Sequence, residues 1–250
     1  MTPADCLFRW ARDAFDLGNY PAALGLARKG LVRDPDHPGL LQVCGLAAYH
    51  LGEPFAALDR LEAAAAIAPL DPQSRLALAD LYARARKPGA ARVALRFLAE
   101  PGRCPVPLLP DLARLLGKVG AYRTAFRVCR RLVAARPWYH PAHFGAAFYL
   151  SKLNRPAGRI LRHLRAAVRL APQALPYRVA LAEALVTVGR SQAACRVIRA
   201  LPAAAACPCC LTRLRGAAEA AGDAALVVAL DARIRAADDH RCHEDAPADS

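Results

Sequence analysis

The residue types best suited to hold a metal or act as nucleophiles gather toward the C-terminal end, where Cys207-Pro208-Cys209-Cys210 is followed further on by His240, Cys242 and His243. Cysteine and histidine are the donors of tetrahedral zinc sites. The common zinc knuckle separates its paired cysteines by two residues, however, and only one stands between Cys207 and Cys209. The spacing therefore assigns no metal ligands and no cofactor, and whether Cys207, Cys209, Cys210 and Cys242 bind a metal stays open at this level. Cys44, Cys129 and Cys195 fall within periodic apolar runs and are expected to be packing residues. Nucleophile chemistry fares no better. Ser74 and Ser191 stand at or near helix starts, where capping explains them, and Ser151 lies among apolar residues. There is no phosphate-binding glycine loop, no His-Glu-x-x-His and no Gly-x-Ser-x-Gly. No catalytic residue is assigned, and the chain is expected not to be an enzyme.

The elements that would position these residues are helical. The 250 residues are 55% hydrophobic but only 6% aromatic, with a bias to Ala, Leu and Arg that favours helices and excludes an all-β fold. No apolar run is long enough to span a membrane, and Met1 to Trp10 lacks the features of a signal peptide. A cytoplasmic protein with no transmembrane segment is expected. Nine cysteines without regular close spacing fit reduced thiols.

Self-similarity gives the organisation. Small residues recur at Ala11, Gly45, Ala79, Ala113 and Ala147, each 34 apart, and Ala182 follows after 35. A second column runs Ala23, Ala57, Ala91, Ala125, Ile160 and Ala194 with the same single slip, which puts one extra residue near the Leu153 to Gly158 turn. Prolines at 35, 69, 137 and 172 keep the register. Within each unit two periodic apolar runs flank a short break, the pattern of an antiparallel helical hairpin, and the small columns mark where its helices cross.

This pattern resembles the tetratricopeptide repeat, with its small residue in the first helix, glycine and aromatic in the turn, and alanine and proline beyond. Ala11, Gly18, Tyr20, Ala23, Gly30 and Pro35 supply it in the first unit; Ala113, Gly120, Tyr122, Ala125 and Pro137 supply it in the fourth. The resemblance implies an all-α solenoid of stacked helical hairpins: about six units over residues 1–208, a degenerate capping hairpin over 209–237, and an acidic disordered tail over 238–250. The family's tryptophan is absent, and Pro105 to Pro110 and the extra residue in the fifth unit suggest local bends.

In such a stack the first helices line a groove for a peptide or partner protein. The positions expected to face it are Phe8, Arg12, Phe15, Gln42, Leu46, Tyr49, Leu76, Asp80, Arg84, Arg114, Lys118, Phe148, Tyr149, Lys152, Val179 and Glu183. The family's carboxylate clamp needs an asparagine whose places hold Arg12, Leu46 and Asp80, so a chaperone-tail receptor is not supported.

Charge singles out a second face. The net charge of +14 is uneven: from Val106 to Leu201 there are seventeen Lys or Arg against Asp111 and Glu183 alone. Equivalent positions of three successive second helices hold Arg127 and Arg130, Arg162 and Arg165, Arg196 and Arg199, whereas Asp59 and Glu62 stand there in the second unit. The leading expectation is a non-catalytic scaffold or adaptor with a protein or peptide partner, an acidic one included, in its groove. The alternatives are a binder of nucleic acid or an anionic surface through the arginines, and a metal-binding or redox-sensing module at the C-terminal cysteines.

Overall fold

A computed structural model describes residues 2–201 and 207–238. Among them are fourteen α-helices, one short 3-10 turn and no strand. The chain divides into two compact units, one ending at Thr124 and the other beginning at Ala125. The first holds α1 (Pro3–Asp16), α2 (Tyr20–Arg33), α3 (Pro38–His50), α4 (Pro54–Ile67), α5 (Pro72–Arg84), α6 (Pro88–Ala99), the 3-10 turn Val106–Leu108 and α7 (Leu109–Lys118). The boundary falls inside α8 (Tyr122–Ala135). After it come α9 (His140–Lys152), α10 (Ala157–Leu170), α11 (Leu175–Thr187), α12 (Ser191–Arg199), α13 (Pro208–Ala220) and α14 (Ala224–Asp238).

Prolines and polar caps decide where these helices begin. Pro3, Pro38, Pro54, Pro72, Pro88 and Pro208 each open a helix, where a missing N–H costs nothing and the fixed φ suits the first turn. Thr2 and Asp5 form a reciprocal capping box on α1, and Asp71 caps α5 by accepting from the Ser74 N–H at 2.9 Å. Each hairpin turn needs one residue with positive φ. Gly18, Gly52, Gly120, Gly189 and Gly222 take that role, and Arg86 (φ 55°) and Asn154 (φ 49°) take it where no glycine is available. The gap from Asn154 to Gly189 is one longer than each of the four gaps before it, and four residues join α9 to α10 where three join α3 to α4. The extra residue suspected from the sequence lies in that turn.

In the first unit α1 packs on α2, α3 on α4 and α5 on α6, while α1, α3, α5 and α7 touch in succession as a layer of first helices. In the second, α9 packs on α10, α11 on α12 and α13 on α14. The small columns sit at the crossings: Ala11, Ala23, Ala57, Ala79, Ala91, Ala125, Ala182 and Ala194 are buried. A Cβ added at Gly45 of α3 would stand 2.7 Å from Leu61 Cγ and 3.3 Å from the Ala57 carbonyl oxygen of α4, so the two backbones approach too closely for a larger residue. Asp238 closes α14, and the rest of the expected acidic tail lies outside the described residues.

Candidate functional site

Four of the groove residues form one polar cluster in the first unit. Asp80, on α5, is only 1% exposed. Tyr49 Oη, from α3, donates to Asp80 Oδ2 at 3.0 Å; Arg84 Nε donates to the same oxygen at 2.7 Å; Lys118 Nζ, from α7, lies 3.4 Å from Oδ1. Burial alone would raise the Asp80 pKa, but the hydrogen bonds from Arg84 and Tyr49, with the charges of Arg84 and Lys118, hold it below its ordinary value. Burial and the neighbouring carboxylate push the Tyr49 phenol up to about 12, so it remains a donor. Three consecutive first helices are thereby tied through one carboxylate. Beside this cluster lies a cleft of about 260 Å³ lined by Leu46, Tyr49, Leu76, Leu108, Arg114 and Leu115, among others, with Arg114 paired to Asp111 at 3.4 Å.

The structure corrects the exposure expected of several groove residues. Phe15, Leu46, Leu76, Asp80, Tyr149 and Val179 are buried. Phe15 closes against the rings of Tyr20 and His50, and Phe8 packs against His37 and the backbone at Gly39, so both aromatics serve contacts within the protein. Arg12 reaches Asp16 and Asp71, and Gln42 accepts from the Asp71 N–H at 2.9 Å. In the second unit Phe148 and Lys152 are exposed, with the ammonium 5.4 Å from the ring centre, and Glu183 is held by both arms of Arg213.

All six arginines of the second face are exposed. They do not line one channel. Arg130 and Arg162 share a cleft of about 480 Å³ with Arg159, Phe126 and His163, while Arg196 and Arg199 border another with Asp223, to which Arg199 is bonded. Arg127 and Arg165 line neither cleft. The sequence reading passed over Arg159, one helical turn before Arg162, and over His163. Burial, then His143 and the flanking Arg162 and Arg130, holds His163 below its ordinary pKa, so the imidazole is a neutral neighbour of three cations.

Cys44, Cys129 and Cys195 are buried, and burial pushes their thiols up, Cys129 to about 12. Cys207, Cys209 and Cys210 instead converge at the start of α13, their Sγ atoms all within 4.8 Å of one another. His240, Cys242 and His243 lie outside the described residues. The sequence reading also did not single out Trp10 and Val32, which stand exposed beside an outward cleft with Leu7 and Lys29.

Comparison with known proteins places the fold. No family profile matches the sequence, and no curated protein is significantly similar to it. Solved structures do match. The C-terminal part of a TPR repeat-containing protein from Cytophaga hutchinsonii superposes with a TM-score of 0.72 at 12% identity, over 94% of this chain and 96% of that one. A tetratricopeptide repeat protein from Parabacteroides merdae gives 0.58 at 14% identity, over 93% and 92%. YrrB, described as a TPR protein with an unusual peptide-binding site, gives 0.58 at 15% identity, over 68% of this chain and 88% of its own. The chain has the tetratricopeptide-repeat fold, an all-α stack of helical hairpins. No described helix is long and apolar enough to cross a membrane.

Proposed function

We propose that this protein is a non-catalytic, cytoplasmic adaptor that binds an acidic segment of a protein partner along the first-helix face of its first unit. The observation that carries this reading is the Tyr49, Asp80, Arg84 and Lys118 cluster beside the cleft at Arg114. Its internal carboxylate fixes the positions of half-exposed Arg84 and Lys118 before a ligand arrives, so that little of their side-chain entropy is lost on binding, and exposed Arg114, paired with Asp111, stands beside them. Three cations there face two carboxylates, Asp80 and Asp111, which leaves the face positive, and half-buried Leu108 adds a little apolar area at the cleft. A solved neighbour whose description names a peptide-binding site lends support by fold. The test is equilibrium binding of fluorescent acidic peptides. Arg114→Glu swaps an attraction for a repulsion at an exposed site and should weaken binding by roughly 10-fold, about 1.4 kcal/mol. Equal binding by Arg114→Glu and wild type would refute the reading.

A second reading rests on the absence of any acidic residue between Asp111 and Glu183, a stretch that contains α8, α9 and α10. An RNA or single-stranded DNA contacting all six arginines would show a log–log salt slope near −4, at roughly 0.7 per phosphate. Changing Arg127, Arg162 and Arg196 together to Glu would abolish it. A slope near zero removes this reading.

A further inference from the structure

The start of α13 carries a feature the adaptor reading leaves unused. Cys207 is the N-cap of the helix, Pro208 opens it, and Cys209 and Cys210 are the next two residues of its first turn. Cys207 has extended backbone (φ −69°, ψ 108°) and stands outside the helical spacing, so its side chain is free of that spacing and can turn toward those of Cys209 and Cys210. The result here is three sulfur atoms within 4.8 Å of one another, with Cys207 Sγ and Cys209 Sγ at 2.9 Å.

We propose that Cys207, Cys209 and Cys210 form a binding site for one divalent thiophilic cation of the zinc class. The geometry can be tested against the bond length. Three thiolates each about 2.3 Å from a tetrahedral ion stand about 3.8 Å apart. All three separations here are at or below 4.8 Å, so no sulfur is out of reach of a shared ion, and the close pair must open by only about 0.9 Å to admit it. A rotation of the Cys209 side chain, which is exposed, suffices. The fourth position of the tetrahedron falls to water or another small donor.

Charge favours a divalent ion over a monovalent one. Three thiolates around a divalent cation leave one negative charge, and the site offers two compensations for it. The N-terminal end of α13 carries the partial positive charge of the helix dipole, and Arg213, one turn along the same helix, interacts electrostatically with Cys209 and Cys210. Arg213 is itself fixed by Glu183 at 2.9 and 2.7 Å. Behind the thiols the site is closely packed: Cys210 is buried in the same apolar cluster as Leu211 and Leu214 of α13 and Val179 of α11. A bound cation would clamp the first turn of α13 onto that cluster, a structural role.

The full chain, reduced and stripped of metal under anaerobic conditions, should take up one equivalent of Co²⁺ with a thiolate-to-cobalt charge-transfer band and the intense visible bands of a tetrahedral ion. Zn²⁺ should displace it stoichiometrically and raise the melting temperature. Cys209→Ser is the decisive variant because its side chain is exposed and the metal-free fold should be unchanged by circular dichroism. It should weaken zinc binding by at least about 100-fold and abolish the metal-dependent rise in melting temperature. Zinc binding that Cys209→Ser leaves intact would overturn the site, as would failure of the reduced wild type to bind Co²⁺ or Zn²⁺. Cu⁺ taken up in place of Zn²⁺ would overturn the assignment to a divalent ion.

Discussion

Removing the Asp80 carboxylate tests whether the polar cluster is part of the architecture of the first unit. Its side chain is buried at 1% exposure and receives three hydrogen bonds, at 3.0 Å from Tyr49, 2.7 Å from Arg84 and, longest, 3.4 Å from Lys118. Hydrogen bonds to a charged group contribute about 1.5 to 3 kcal/mol, but Arg84 and Lys118 are partly exposed and recover water when the acceptor is lost. A net loss of about 2 kcal/mol for Asp80→Asn follows, since the amide keeps one acceptor oxygen but leaves two cations side by side. Asp80→Ala adds a small void and should lose about 3 kcal/mol. Urea unfolding followed by circular dichroism reads this as a lower midpoint with an unchanged slope. A cycle combining Tyr49→Phe with Asp80→Asn should show a coupling of about 1 kcal/mol. If both Asp80 variants unfold within about 0.5 kcal/mol of wild type, the cluster behaves like an ordinary surface ion pair and the preorganisation argument fails.

Other expectations concern crossings, turns and pH. Gly45→Ala or Ala57→Leu forces α3 and α4 apart and should destabilise by about 1 to 3 kcal/mol in thermal or urea melts. Arg86→Gly relieves a positive-φ residue and should stabilise by roughly 0.5 to 1 kcal/mol, whereas the same exchange at exposed Arg96, inside α6, should destabilise by a similar amount. His50 and His163 both have folded pKa values below their ordinary one through burial, with His143, Arg130 and Arg162 adding to the effect at His163. The unfolded chain then binds protons more readily, so stability is full above about pH 6.5 and falls as pH drops toward the lowered values; His163→Gln should flatten part of that decline in urea midpoints. Asp80 acts in the same direction at lower pH. Its lowered pKa gives stability that is present above about 3.9 and is lost as pH falls through the folded value.

The hairpins were legible in the sequence because close packing leaves a simple record: Ala or Gly stands at every crossing of the two columns except Ile160, and it recurs at 34 residues. The slip of one residue was legible for the same reason. The turn positions were less so, since Arg86 and Asn154 occupy a conformation that elsewhere selects glycine. The cluster at Asp80 was hidden by its partners, which come from the neighbouring repeats on either side, and by the habit of reading a charged residue as exposed. A signal existed: Arg84 and Lys118 stand 34 apart, at equivalent positions, and Arg84 follows Asp80 by one helical turn. The thiols were visible as residues but not as a cluster, because the zinc-knuckle spacing describes a turn between strands or loops, whereas here the first turn of a helix gathers them. The arginine column predicted six exposed side chains but not their division between separate clefts, which depends on Arg159 and Asp223.

The central claim is that a partner segment lies on the first-helix face of the first unit. Photo-crosslinking measures this most directly, with a photoreactive amino acid placed singly at Arg114, beside the cleft, and at Arg162, on the arginine face, in the presence of a bound acidic peptide. The account predicts strong crosslinking from position 114, competed by unlabelled peptide, and little from position 162. Crosslinking from position 162 with none from position 114 would contradict it.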